Sequence, residues 1–212
     1  MPFCTWPKAA PFARVPEPYV KKAPTVLTFE TPDKANAALF GDFAMSISDE
    51  SSDYGATSVA TMIIGETASS RLWKRIRESE GLSYGVDAWL SPSNFELNTP
   101  LMIDAIFAPQ NRDKLAKAVG EELAQALRDG LTETEVAQAK SGLLKLRQLQ
   151  RTQDPSLAAS LVQQAYLGRT FDYAGKIDAA IAAVTVADAN AALRKYVKPE
   201  AFAFVYAGTF GK

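Results

Sequence analysis

Arg77 and Tyr84 stand seven positions apart in the segment Arg77-Glu78-Ser79-Glu80-Gly81-Leu82-Ser83-Tyr84, where a helical pattern gives way through Gly81 to a strand pattern. A guanidinium carries a permanent charge and five N–H donors, and a phenol adds one O–H. Aimed at one spot, the two could bind a peptide carbonyl and support the negative charge that develops on its oxygen during hydrolysis. The attacking water would have to be activated elsewhere. An arginine near a helix end is also favoured by the helix dipole, and a strand tyrosine commonly packs its ring with the hydroxyl outward, so these residues alone leave a purely structural role open.

The strongest exclusion comes from a missing residue type: the 212 residues contain no histidine. Histidine is the usual general base near neutral pH and the commonest zinc ligand. Its absence excludes Ser-His-Asp triads, Cys-His dyads and HExxH or HxxEH zinc sites within this chain. One cysteine, Cys4, cannot form an internal disulfide, has no neighbouring histidine to activate it and is expected to be incidental. Asp49, Glu50 and Asp53, with Glu121 and Glu122, are the carboxylates that could pair. Adjacent helical positions diverge by about 100°, so Glu121 and Glu122 do not converge, and the whole set is expected on solvated surface. Gly65-Glu66-Thr67-Ala68-Ser69-Ser70 is expected to be a plain helix connection, with substrate contact as its alternative; it lacks the glycines and lysine of a phosphate-cradling loop.

Lys and Arg total 23 against 24 Asp and Glu, with no block of like charge, so nucleic acid is not an expected partner. There is no apolar run of the roughly 18 residues that a membrane-spanning helix requires, so no membrane contact is expected either. Six prolines in the first 24 residues predict an extended lead over 1–24 rather than a secretory leader, and hence a piece of a longer protein. The remainder, 25–212, reads as a single domain.

Within it, Thr25 to Glu30 and Ala35 to Ile47 predict two strands that could lie side by side. Ser51, Ser52 or Asp53 can cap a helix to Ile64, and Gly65 stops it. From Ser69 or Ser70 a helix with Leu72 and Ile76 turned inward runs to Gly81, and a strand follows over 82–90. Alternation of Leu97, Leu101, Ile103, Ala105 and Phe107 predicts a strand over Phe95 to Phe107, with a break or an edge at Pro100. Leu115, Val119, Leu123 and Leu127 predict a helix over 112–129 ended by Gly130. Thr132 and Glu135 form a capping box for the next, which runs toward Arg151. Asp154-Pro155 reads as the N-cap and first residue of a helix ending at Gly168. Two shorter helices over 172–183 and 186–197, the second capped by Thr185, lead to a last strand over Ala201 to Ala207. This order predicts an α+β fold, with an antiparallel sheet covered on one face by helices.

Ser69-Ser70-Arg71-Leu72 and Ile76-Arg77-Glu78, running into Glu80-Gly81-Leu82-Ser83-Tyr84, resemble a segment in the second, non-zinc-binding domain of the pitrilysin/insulinase zinc metallopeptidases. That family includes mitochondrial processing peptidase. The likeness extends over nearly the whole chain through Thr31 to Asn36, Asp129-Gly130-Leu131-Thr132, Leu167-Gly168-Arg169 and Val205-Tyr206-Ala207-Gly208. It implies that Arg77 and Tyr84 assist catalysis and bind substrate in trans, beside a zinc held by an HxxEH-bearing N-terminal half, fused or separate. No metal is then expected in this chain, and alone it should be inactive. Implied partners are that half and a peptide substrate, with a homodimer of the isolated domain left open, and the full-length protein is expected to be periplasmic or secreted. The same fold also serves as a catalytically silent scaffold subunit, which stands as the alternative.

Overall fold

The structure, a computed structural model, describes residues 12–211. Cys4 and the first part of the proline-rich lead lie outside the described residues. Five strands, Thr25–Glu30 (β1), Ala37–Met45 (β2), Ser83–Leu90 (β3), Thr99–Phe107 (β4) and Ala203–Gly208 (β5), form one sheet in the order β1-β5-β2-β4-β3. Seven helices accompany it: Tyr54–Ile64 (α1), Arg71–Trp73 (α2), Arg112–Asp129 (α3), Glu133–Arg151 (α4), Asp154–Tyr166 (α5), Asp172–Ala183 (α6) and Val186–Tyr196 (α7). The α+β class is as expected.

Alternation at period two separates the faces of the sheet. Leu39 of β2 and Ile103, Ala105 and Phe107 of β4 point inward, where they join Val59 and Ile63 of α1 and Leu115, Val119 and Leu123 of α3 in one buried cluster. The intervening residues face the other way, and there Phe40 and Ile106 are each about half exposed, as is Phe29 of β1. Helices thus cover one side and leave the other open.

Two expectations about the sheet need correction. β1 and β2 are not neighbours: β5 lies between them, pairing antiparallel with β2 and parallel with β1, so the sheet is mixed at one edge. The connection over 31–36 is long enough to step across two strand spacings, about 10 Å. It is pinned to the intervening strand by the Thr31 N–H donating to the Gly208 carbonyl at 2.9 Å. Pro100 neither breaks β4 nor marks an edge; β4 is internal and begins at Thr99, leaving Phe95 to Asn98 in a bend. The Ser91 N–H donates to the Pro100 carbonyl just past the end of β3. Backbone N and O of one residue in an antiparallel ladder point the same way, so the proline's missing donor falls where no strand partner remains.

Three helices also differ from expectation. Asp53 is the N-cap residue of α1, but its side chain makes no capping bond. Gln153, not Asp154, stands at the N-cap position of α5 and makes no side-chain capping bond, which moves Pro155 one position into the helix. After Trp73 the helix winds into a π-helical segment, Lys74–Ser79, instead of continuing as α to Gly81. The Thr132 capping box is present, and Thr185 makes a second one with Asp188.

Arg71 fastens this helix to the helical layer. Its guanidinium donates to both Glu135 carboxylate oxygens, at 2.7 and 2.8 Å, and to the Gly130 carbonyl at 2.9 Å. These bonds from Arg71, followed by those of Thr132, hold the Glu135 carboxyl at about 2 against an ordinary 4.5, despite partial burial that opposes the shift. A depressed carboxylate contributes stability that is present above its unfolded pKa and lost as pH falls through the folded one. Glu135→Gln is therefore expected to cost about 1–2 kcal/mol at neutral pH. In chemical denaturation that difference should shrink as pH is lowered from 4.5 toward 2; wild-type stability at neutral pH would contradict the assignment.

Candidate active-site edge

Two local irregularities aim Arg77 and Tyr84. In the π segment the Glu80 N–H donates to the Arg75 carbonyl at 2.9 Å, one residue further back than in an α-helix, and the Leu82 N–H reaches the Ile76 carbonyl at 2.8 Å. Ile76 stays in the core while Arg77 comes out beside β3. Gly81, at φ +60°, makes the turn that an L side chain adopts only with strain.

A β-bulge follows. Ser83 pairs with Phe107 and Gly85 with Ile106, so Tyr84 is the extra residue. Plain alternation from buried Ala88 and Val86 would have turned Tyr84 toward the helices; the bulge returns it to solvent, 79% exposed. The Ser83 hydroxyl holds the bulge, lying 2.6 Å from the carbonyls of both Gly85 and Ile106 and accepting from the Gly85 N–H at 3.3 Å. Asn111 supports the approach by donating to the Leu82 carbonyl at 3.0 Å.

The guanidinium carbon of Arg77 lies 4.6 Å from the centre of the Tyr84 ring and 4.8 Å from that of Trp73. Both rings lie within the range at which an aromatic face attracts a cation and so restrain the guanidinium. Its helical neighbours are committed elsewhere: Arg71 as described, and Arg75 to Glu80 at 2.8 Å and Glu121 at 2.5 Å. Among the described residues neither the Arg77 nitrogens nor the Tyr84 hydroxyl have a hydrogen-bond or ion-pair partner. A cation and a phenol held side by side with free donors can take a carbonyl or a developing oxyanion.

The two expected site residues therefore meet, and two contributors were missed. Trp73 lies four residues before Arg77, the spacing of helical neighbours, and could have been found by that signal. Ser83 could not, because nothing in its sequence neighbourhood announces a bulge.

The acidic set is corrected. Asp49, expected on the surface, is 5% exposed and takes Arg169 at 2.7 and 3.2 Å and the Asn94 amide at 2.6 Å. Arg169 also meets Glu50 at 2.8 Å and stacks 4.2 Å from the Tyr173 ring, whose hydroxyl donates to the Asp49 carbonyl. Burial first, and then Asp49, raise the Tyr173 pKa. Asp53 accepts from Lys195 and Tyr196, at 2.6 and 2.9 Å. Glu122 is buried behind Arg75, whereas Glu121 lies outward. These carboxylates brace the fold. Gly65 does so too: its carbonyl accepts from the Ala88 N–H, and a Cβ there would come within 2.3 Å of the Ala88 side chain. No group of three or more His, Cys, Asp or Glu side chains placed to hold a metal ion occurs among the described residues.

This α+β domain presents Arg77 and Tyr84, stacked on each other, at the edge of an open sheet face. The chain belongs to the peptidase M16 inactive domain family, whose model matches residues 3–143. No curated protein sequence matches it. Among solved structures it is similar to the peptidase M16 inactive domain from Pseudomonas fluorescens, with a TM-score of 0.81 and 22% identity over 94% of this chain and 46% of that one. It is similar also to a subunit chain of complex III2 from Candida albicans, at 0.74 and 15% over 88% and 46%. A third likeness is to the periplasmic protease PqqL from Escherichia coli, at 0.67 and 15% over 87% and 20%. At these identities the likeness establishes the fold. The chain spans about half the length of the first solved chains it matches, at 46%, 44% and 48%.

If the hydroxyl of Tyr84 serves no fold contact, Tyr84→Phe should leave stability within about 0.5 kcal/mol of wild type. Ser83→Ala, which leaves bulge backbone groups without their partner, should cost about 1–3 kcal/mol. Urea denaturation separates the two; equal costs would place Tyr84 in the fold's own bonding.

Proposed function

We propose that this domain is the C-terminal, non-zinc-binding half of a zinc metalloendopeptidase. It closes over a peptide held against an HxxEH-bearing half, and Arg77 and Tyr84 are its contribution to that half's active site. The observation that carries this reading is the stacked Arg77–Tyr84 pair, whose side-chain donors have no hydrogen-bond or ion-pair partner among the described residues. Charged N–H and phenolic O–H groups fixed before substrate arrives need no rearrangement as charge builds on the carbonyl oxygen, which is where preorganised donors act most strongly. Zinc belongs to the partner half, where it supplies Lewis acidity and an activated water. This chain contains no histidine, and no group of three or more His, Cys, Asp or Glu side chains placed to hold a metal ion occurs among its described residues. A periplasmic or secreted setting for the full-length protein is supported by the likeness to a periplasmic protease.

A scaffold role is the second reading, favoured by the likeness to a chain of complex III2. It leaves the unpaired cation and phenol without a purpose, since a scaffold gains nothing from donors held out of the fold's bonding. Peptide hydrolysis by the zinc-bearing half, measured with and without this chain, decides between the two. Activity is expected only on mixing, with Arg77→Ala and Tyr84→Phe each lowering kcat by about 10²-fold or more; variants as active as wild type would leave the scaffold reading standing.

A further inference from the structure

Where α1, α4 and α6 come together beside the end of β3, the helical layer encloses a cavity of about 390 Å³. Protein interiors leave few voids larger than a single water, about 30 Å³, and a space of this size falls in the range of small-molecule sites. Its apolar wall includes Leu143, Ile177 and Ile181, each less than a tenth exposed. Tyr54 and Ser58 of α1, with Glu66 two residues past the end of that helix, supply a polar wall. The walls are set by the fold itself: the three apolar residues belong to the buried cluster, and the Gly65 carbonyl beside Glu66 accepts from the Ala88 N–H of β3 at 3.1 Å.

Glu66 stands in this cavity without a counter-charge. Among the described residues its carboxylate has no hydrogen-bond or ion-pair partner, and burial alone raises its pKa. Arg147 also lines the cavity, but its guanidinium is bonded to Asp178 at 2.5 Å and to the Ala174 carbonyl at 3.4 Å. The Ser58 hydroxyl donates to the Tyr54 carbonyl at 2.9 Å, so its oxygen is left to accept.

We propose that this cavity binds a small primary amine with an apolar body, its ammonium group seated on Glu66 and its body on Leu143, Ile177 and Ile181. An ammonium carries three N–H donors and no acceptor, and the Glu66 carboxylate with the Tyr54 and Ser58 hydroxyl oxygens supplies acceptors for them. Within an apolar wall the attraction between ammonium and carboxylate is stronger than in water. An anionic ligand would face Glu66 with like charge, and a neutral one would leave the carboxylate unrelieved. Leu90, which also lines the cavity, stands six positions along β3 from Tyr84, about 20 Å. The amine site is therefore separate from the Arg77–Tyr84 couple and stands whether or not that couple acts on a peptide.

Methyl-detected NMR titration of the 212-residue chain tests this, with phenethylamine and its neutral counterpart phenethyl alcohol as the probes. In wild type the amine is expected to shift the Leu143, Ile177 and Ile181 methyl resonances saturably, with an affinity about tenfold above that of the alcohol, the margin a charge-assisted hydrogen bond gives. The Glu66→Gln variant should bind both at the alcohol's level. Its thermal midpoint should equal or exceed that of wild type, because a carboxylate buried without a partner has been removed. Equal affinities in wild type, a preference that survives in the variant, shifts confined to residues outside the cavity, or no binding of the amine would each overturn the proposal. So would a lower midpoint in the variant, which would show that Glu66 is bonded within the fold.

Discussion

A β-strand presents its side chains to alternate faces, and in this domain helices bury only one of them. Everything else follows from that one-sidedness. The inward residues of β2 and β4 complete a core with α1 and α3, while among the described residues no helix covers the outward ones. Tyr84 belongs by parity with the buried set. The bulge held by Ser83 moves it to the open side, and the π segment carries Arg77 to meet it. Both irregularities interrupt regular hydrogen bonding, and the fold offsets them nearby through Ser83, Asn111 and the Arg71–Glu135 clasp.

The same economy separates structural from functional charge. Arg71, Arg75 and Arg169 are each spent on carboxylates, and Asp49 and Glu122 are buried with them. Among the described residues Arg77 alone of the three arginines on its helix is stacked rather than ion-paired. A cation held by aromatic stacking rather than by a carboxylate keeps its donors available to something outside the domain.

Much of the fold was legible because it follows local rules. The capping box at Thr132, the glycine stops at Gly130 and Gly168 and the period-two run from Leu101 to Phe107 have physical causes within a few residues of one another. What was not legible depends on distant partners. β5 slots between β1 and β2 from the far end of the chain, Asp49 meets an arginine 120 residues away, and the bulge at Tyr84 exists only in register with β4. For the site, the composition excluded an HxxEH zinc site and the resemblance singled out Arg77 and Tyr84, but neither carried the geometry. The stack with Trp73 and the dependence on Ser83 emerge only when strand and helix are placed together.

The central claim is that Arg77 and Tyr84 are held out for a peptide bound against another half. A structure of the assembled halves with an uncleaved peptide tests it most directly. The account expects an Arg77 nitrogen and the Tyr84 hydroxyl within about 3 Å of one peptide carbonyl oxygen. An assembly in which both groups face away from the peptide, or bond only to the partner half's own side chains, would contradict it.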